Sequence, residues 1–549
     1  MIDDKRLPTI IVFLVVIAAV ILLAVALFVP YEDKGLSMAY ETELFDTDTV
    51  IDVDILMDEA DWQDMMETSS SGEYHRCDVI VNGEKYYSVG IRPKGNSSLI
   101  MVTTSGSERY SFRLKFDEYV DGQTCHGLDT LILNNNINDT TMMREAITYD
   151  MFRYLGADAS LYNYASVSLN GEYFGVYVAL ESVLDSFCMR NYGTHYGAVY
   201  KPDNANLNEM NDMFGGDFNI ADIFNGEVDF AELLQKFSDE MGAASGEPGA
   251  SDEFSFGGFG SDESSLAMAL NYVGDDLDSY ADIWASAKVN DSWDSHRRVV
   301  TALKHVSESN ELETYVDIDN VLRYMAVQTF VRNTDGLTGI VSHNYYLYED
   351  DGRLNLIPWD YNESFGITSD LSDLINFPID TPFTMTDLSA RSFFMNILAV
   401  DEYREQYHEY LRRLSEEYVL GGGFMETYTR IRSQIDGLVA TDPHSFYKYD
   451  DYSAAADALV DCVTLRAQSV LGQVDGTIPS TREGQAEHPE RLLDVSSADL
   501  SAMSRGGTAM FEDMFGDMDF AALFGGASGE ASDEASETGA SEETLSRVG

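Results

Sequence analysis

The sequence predicts an α+β fold in which strands come first and helices later, two lobes in series behind one N-terminal transmembrane helix. Three observations carry that expectation. Between Thr49 and Lys201 short alternating runs are punctuated by Asn-Gly turns, whereas between Leu266 and Val474 apolar residues recur at three- and four-residue spacing. No βαβ alternation joins the two regions, so the layout is a β-rich lobe over a helical one. An unbroken apolar run within residues 7–30 precedes both.

At 549 residues, 44% hydrophobic and 12% aromatic, the chain is long enough for two lobes with further segments. Its formal net charge is −61, from 95 acidic against 34 basic residues. That balance argues against nucleic acid or an anionic membrane surface as partner and favours cationic partners, divalent metals or solubility alone. Cys77, Cys125, Cys188 and Cys462 are scattered without metal-ligand spacing. Up to two disulfides or a reduced state both fit.

The run TIIVFLVVIAAVILLAVALFV is long enough to span a bilayer core of ~30 Å as a helix. Lys5 and Arg6 before it, with Glu32 and Asp33 after it, place the N-terminus in the cytoplasm and the bulk of the chain outside, at the cell surface. Ala24-Val-Ala26 would also suit a signal-peptide cleavage site, although the run is long for one.

The first lobe opens with VIDVDILM as a strand and a short helix around Asp58 to Thr68. Asn82-Gly83 marks a hairpin, and IRPKGNSS carries a strand into a loop whose backbone N–H groups, hydroxyls and cations suit a phosphate. Such loops are also common as plain turns. In the strand SFRLKF, Lys115 shares a face with Ser111 and Arg113, which a solvated edge strand would equally show. LDTLILNNNINDTTMMREAITYDMFRYLG reads as a buried strand, an Asn-rich turn and a helix capped near Asp139 or Thr140 and ended by Gly156. Glu145 lies early on that helix. Asn170-Gly171 marks a second hairpin whose later strand ends at Glu181, where a hinge between lobes would lie. YGAVYK then forms a short strand ending in Lys201.

Residues 202–265 shift to an acidic, Gly/Ser-rich composition with scattered Phe and Met, and the tail within 475–549 repeats the vocabulary: MFG, DFA, a helix-like AELL or AALF, then ASGE. Shared function and shared low-complexity drift both account for the repeat. Ser251, Ser261, Ser264, Ser265, Ser528, Ser532, Ser536 and Ser541 stand there in acidic surroundings, as self-phosphorylation sites or as a solvated linker.

From Leu266 the pattern is helical, through VDIDNVLRYMAVQTFVRN and, later, RSFFMNILAVDEYREQYHEYLRRLSEEYV, FMETYTRIRSQIDGLV and YSAAADALVDCVTLRAQSVLGQV. Between these helices lies VRNTDGLTGIVSHNYYLYEDDGRLNLIPWDYNESFG. HNYYLY is strand-like, EDDGR is turn chemistry, and Pro358 closes the returning run LNLIPW. A hairpin returns its ends to one place, which brings Asp335, Asp360 and Asn344 together. Two carboxylates and an amide there suit a hard cation that keeps waters for substrate phosphates, whereas the plainer alternative makes the acids turn and cap residues.

Asn333-Thr-Asp335, His343-Asn344-Tyr-Tyr-Leu-Tyr and Ile357-Pro-Trp-Asp360-Tyr-Asn-Glu-Ser-Phe-Gly366, in this order and spacing, resemble the hallmark block of the CotH family. IRPKGNSS, SFRLKFD, REAITYDMFRYLG, VSLNGEYFGVYVALE and AVYK extend the resemblance over roughly residues 50–474. These are spore-coat-type protein kinases with an atypical protein-kinase-like fold. The resemblance implies an N-lobe over 49–201, a C-lobe over 266–474, ATP with Mg²⁺ or Mn²⁺, and transfer to Ser/Thr of a surface or coat protein. It gives Asp335 the role of catalytic base, Asp360 that of metal ligand, and Asn344 a further metal contact. Arg92, Lys94, Asn96, Ser97 and Ser98 become the phosphate loop, Lys115 the phosphate-contacting lysine paired with Glu145, and Glu181 the hinge acid. Lys201 is a second candidate for that lysine. Asn362 stands where family members often carry a second acid, and the loop has Pro93-Lys94 where more arginine is common. A hydrolase finds no Gly-x-Ser-x-Gly elbow or histidine metal cluster here. A non-catalytic adhesin on the same scaffold is the main rival.

Overall fold

Residues 35–95, 97–202, 263–339, 342–366, 371–383 and 392–503 are described by a computed structural model. The apolar run of residues 7–30, the insert up to residue 262, Asn96 and the tail from residue 504 lie outside them. Among the described residues no helix is long and apolar enough to cross a membrane.

The first lobe is a closed barrel of seven strands in the order β1-β2-β3-β4-β5-β7-β6. They are β1 (Ile51–Leu56), β2 (His75–Val81), β3 (Glu84–Lys94), β4 (Ser111–Lys115), β5 (Thr130–Asn134), β6 (Tyr162–Leu169) and β7 (Glu172–Glu181). Both Asn-Gly pairs make the predicted hairpins, with Asn82 and Asn170 at positive φ as such tight turns require. Closure comes from parallel pairing of β1 with β6, Ile51 against Ala165. Alternation then sorts the side chains. Val53, Val79, Ile91, Phe112, Leu114 and Leu133 fill the barrel, while Ile132, Val178 and Leu180 face outward into a second core shared with the helices.

Ser97–Ser105 is a helix where the sequence suggested only a loop. The predicted cap at Asp139 acts from a distance, because the helix spans Arg144–Leu155 and the Asp139 carboxylate accepts from the backbone N–H groups of Thr141 and Arg144 at 2.9 and 2.8 Å. Gly156 ends it in the left-handed conformation as expected.

A second sheet, β11-β10-β8-β9, joins β8 (Ala198–Tyr200), β9 (Ala287–Val289), β10 (Tyr345–Asp350) and β11 (Arg353–Pro358). The AVYK strand therefore pairs with the later hairpin rather than with the barrel, and Ala287–Val289, read as helical, is its outer neighbour. Residues 264 and 265, assigned to an unpacked insert, belong to the helix Glu263–Met268, whose Ala267 and Met268 are buried. The helical lobe follows with Trp293–Ser307, Ile318–Val331, Asp401–Arg412, a π-helical stretch Arg413–Val419, Gly423–Thr441 and Tyr449–Val474. All four cysteines are free and buried.

The lobes are clasped at one side. Arg109, just before β4, forms a fully buried ion pair with Asp442 at 2.5 Å and donates to the Val176 carbonyl on β7. His444 stacks on Phe174, and Tyr173 donates to the Leu438 carbonyl at 3.0 Å.

Candidate active site

The hairpin of β10 and β11 forms as its turn residues dictate. Tyr345 pairs with Pro358 and Asp350 with Arg353 around a turn of Asp351 and Gly352, both at positive φ. Its open end therefore sets Asn344 beside Trp359. Asn344 and Asp360, the residues that leave this mouth, are left-handed, at φ +57° and +59°. Asn and Asp tolerate that conformation better than most, and strain of this kind gathers at functional sites.

Asn344 donates through Nδ2 to the Asp335 carboxylate at 2.8 Å and to its backbone carbonyl at 2.9 Å, which pins the loop to the hairpin. His343 Nε2 lies 3.2 Å from the other carboxylate oxygen. Gln328 braces both acids from beneath: its Nε2 donates to the Asn333 carbonyl and Thr338, and its Oε1 accepts from the Tyr361 hydroxyl at 2.6 Å. Burial and the neighbouring charges of Asp360 and Glu363 push the Asp335 carboxyl up to about 8.

Two further acids that the sequence reading did not place at the mouth join it. Glu145 is buried and accepts from Asn134 Nδ2 at 2.6 Å and from the Tyr361 backbone N–H at 3.4 Å. Burial and Asp360 raise it to about 8, opposed by Lys94. Glu363 is raised by burial, with Arg144 acting against the shift. It stands one residue after Asn362. Among the described residues no three His, Cys, Asp or Glu side chains could hold a metal by themselves. The Asp360 carboxylate and the side-chain carbonyl oxygen of Asn344 are hard oxygen donors of the kind that suit Mg²⁺ shared with phosphate oxygens.

The lysine assignment changes. Lys115 lies at the end of β4 and turns to Glu118 at 2.9 Å and Asp117 at 3.9 Å, so it does not pair with Glu145. Alternation fixed its face correctly, but the turn that follows supplied nearer acids. Lys94, the last residue of β3, is the lysine whose charge reaches Glu145, and its ammonium lies 5.6 Å from the Trp359 ring centre. Register puts Lys94 opposite Ser111 and Arg92 opposite Arg113. Ser111 donates to Asn134 at 3.3 Å, which ties this strand face to Glu145. The buried Nε atoms of Arg92 and Arg113 have no hydrogen-bond acceptor, an arrangement suited to phosphate. Gly95 follows β3 at φ +118° and a helix opens at Ser97, so a strand end and a helix N-terminus flank the predicted phosphate loop. Ser98 is in its first turn.

Glu181, expected at a hinge, is occupied by groups of its own chain. Its buried carboxylate is filled by Tyr40 at 2.5 Å, Arg190 at 2.6 and 3.0 Å and the Leu161 N–H at 3.0 Å. It still marks the place where the chain leaves the barrel. Lys201 follows β8 in the second sheet, beside β10.

Residues 91–470 match the family model described as CotH kinase protein, and the chain belongs to that family. Inner spore coat protein H of Bacillus subtilis (strain 168) is a relative, 24% identical over 387 residues that cover 67% of this chain and 85% of the relative.

Proposed function

We propose that this chain is a two-lobed, atypical kinase-like protein kinase that transfers the terminal phosphoryl group of ATP to Ser/Thr hydroxyls of surface or coat proteins, with Mg²⁺ or Mn²⁺. The observation that carries this is the junction of opposite charges at the hairpin mouth. Asp335, Asp360, Glu145 and Glu363 crowd one side, and Lys94, Arg92 and Arg113 line the strand face that meets it. Phosphoryl transfer needs little else: charge neutralisation, alignment and one group to orient the hydroxyl. The metal would supply neutralisation of phosphate charge, held by Asp360 with Asn344. Lys94, Arg92, Arg113 and the Gly95 turn would hold the phosphates, with Glu145 orienting Lys94. Asp335 would accept the hydroxyl proton on its carboxylate, kept in place by Asn344 Nδ2. The relative's name is the reason for proposing coat or surface substrates.

Asp360→Ala should abolish the metal-dependent rise in melting temperature that nucleotide produces. Asp335→Ala should keep that rise and lower transfer by about 10²–10⁴, the range for loss of a general base. If the wild-type chain shows no nucleotide-induced rise with either metal, a non-catalytic surface protein becomes the better reading.

A further inference from the structure

In the helical lobe, three guanidiniums gather around residues 371–383: those of Arg332, Arg466 and Arg482. Among the described residues they share one ion-pair partner, Asp373. Arg466 is buried and gives its hydrogen bonds to backbone carbonyls. It meets Thr329 and Phe330, at the end of the helix Ile318–Val331, each at 3.0 Å, and Ile375 and Phe377 at 3.0 and 2.7 Å. Burial, with the charge of Arg332 adding to it, lowers Arg466 to about 9. Positive charge is therefore crowded here, in a chain whose net charge is −61.

Arg332 and Arg482 lie 5.2 and 5.9 Å from the centre of the Phe377 ring, and both approach Asp373 without a full pairing. Arg332 donates from Nη2 to one carboxylate oxygen, while its Nε is buried and has no acceptor. Arg482 stands 3.8 Å from the other oxygen, beyond hydrogen-bond reach, and donates to the Phe383 carbonyl at 3.0 Å. Nε and Nη2 form the edge of a guanidinium that takes two oxygens of a carboxylate or phosphate in parallel. Here that edge holds one oxygen, from an acid whose side chain is 31% exposed and so has room to move aside. A phosphate group brings three acceptor oxygens and close to two charges at neutral pH, enough for both guanidiniums at once.

We infer that Arg332 and Arg482 form a seat for a phosphate dianion, in which the Asp373 carboxylate is the resident stand-in. Arg332 is left-handed, at φ +47°, and lies three residues before Asp335, so the occupant of the seat bears on the loop that carries that acid. This last consequence, though not the seat, rests on the kinase reading above. Free phosphate and a phosphorylated side chain present the same chemistry to the seat.

The test uses full chains, treated with phosphatase and kept free of nucleotide and metal, so its outcome does not depend on whether transfer occurs. Asp373→Asn should melt below the unaltered chain in phosphate-free buffer, and inorganic phosphate should raise it where chloride at equal ionic strength does not. Its Kd for phosphate should be at least about tenfold lower than that of the unaltered chain, because a tethered competitor has been removed. Adding Arg482→Gln should abolish the gain, and Arg482→Lys should keep part of it; near-UV circular dichroism checks the fold. Adding Arg92→Gln and Arg113→Gln, which strip the mouth of cations, should leave the gain intact. No phosphate response in Asp373→Asn, a response equal to that of the unaltered chain, one that survives Arg482→Gln, or one that vanishes with the mouth pair would each overturn the proposal. Mass spectrometry before the phosphatase step separates the sources. A covalent phosphate whose removal lowers the melting temperature, but not that of Arg482→Gln, supports a phosphorylated side chain; an unphosphorylated chain with the response above supports the free anion.

Discussion

Asp335 and Glu145 are carboxyls raised to about 8, chiefly by burial and then by the charge of Asp360. In the unfolded chain both would titrate near pH ~4. Between those values the folded chain holds protons that the unfolded chain has released, so the stability of the metal-free protein falls as pH rises through that window. The melting temperature should therefore drop from about pH 5 to about pH 9, and Glu145→Gln should flatten the drop. A melting temperature that climbs over the same range would contradict the crowding of acids described here. Asp335 and Asp360 were legible in sequence because a hairpin's ends must meet. Lys94 in place of Lys115 was not, since alternation gives the face of a side chain and not its reach. The signal was nonetheless present, as Lys115 is followed by Asp117 and Glu118. Asn134 and Arg113 become part of one surface only through strand register, Glu145 through the helix Arg144–Leu155 that packs behind it, and Glu363 through the loop after Asp360.

Elements bounded by Asn-Gly turns or by helical apolar spacing were readable, and the β10–β11 hairpin ends at Pro358 as its sequence indicates. The helix Ser97–Ser105 was hidden, because SSLIMVTTS is rich in residues that disfavour helix, and packing of Met101 and Val102 decides its conformation. Ala287–Val289 is a strand only because β8 offers it an edge. The turn before that hidden helix depends on Gly95: a Cβ there would sit 2.2 Å from Ser98 Oγ at a φ that other residues avoid. Gly95→Ala should cost about 1–3 kcal/mol and weaken nucleotide-dependent stabilisation more than Gly106→Ala, a left-handed glycine with open space around it. Equal effects of the two changes would remove the special role of the Gly95 turn.

At the scale of the molecule, barrel closure through the parallel β1–β6 pair and the clasp of Arg109 with Asp442 could not be read from sequence, since both join distant segments. Asp442→Ala would leave a fully buried guanidinium uncompensated, and should cost about 3–5 kcal/mol in equilibrium unfolding. The membrane anchor expected from the sequence of residues 7–30 is tested on cells: the intact chain should remain in the membrane fraction with its bulk open to added protease, and a soluble chain starting near Leu27 would show cleavage instead. The second sheet has a consequence for how such a chain is made and altered. Tyr200 of β8 pairs with Ala287 of β9, with residues 203–262 intervening. The entropy of closing a loop grows only with the logarithm of its length. Replacing residues 203–262 by a short Gly/Ser bridge should therefore stabilise the fold by only about 1 kcal/mol, and speed refolding in proportion if that pairing is rate-limiting. Low sensitivity to loop length makes this junction a tolerant graft point, where whole segments can be gained, lost or exchanged between lineages while the hairpin beside it stays intact.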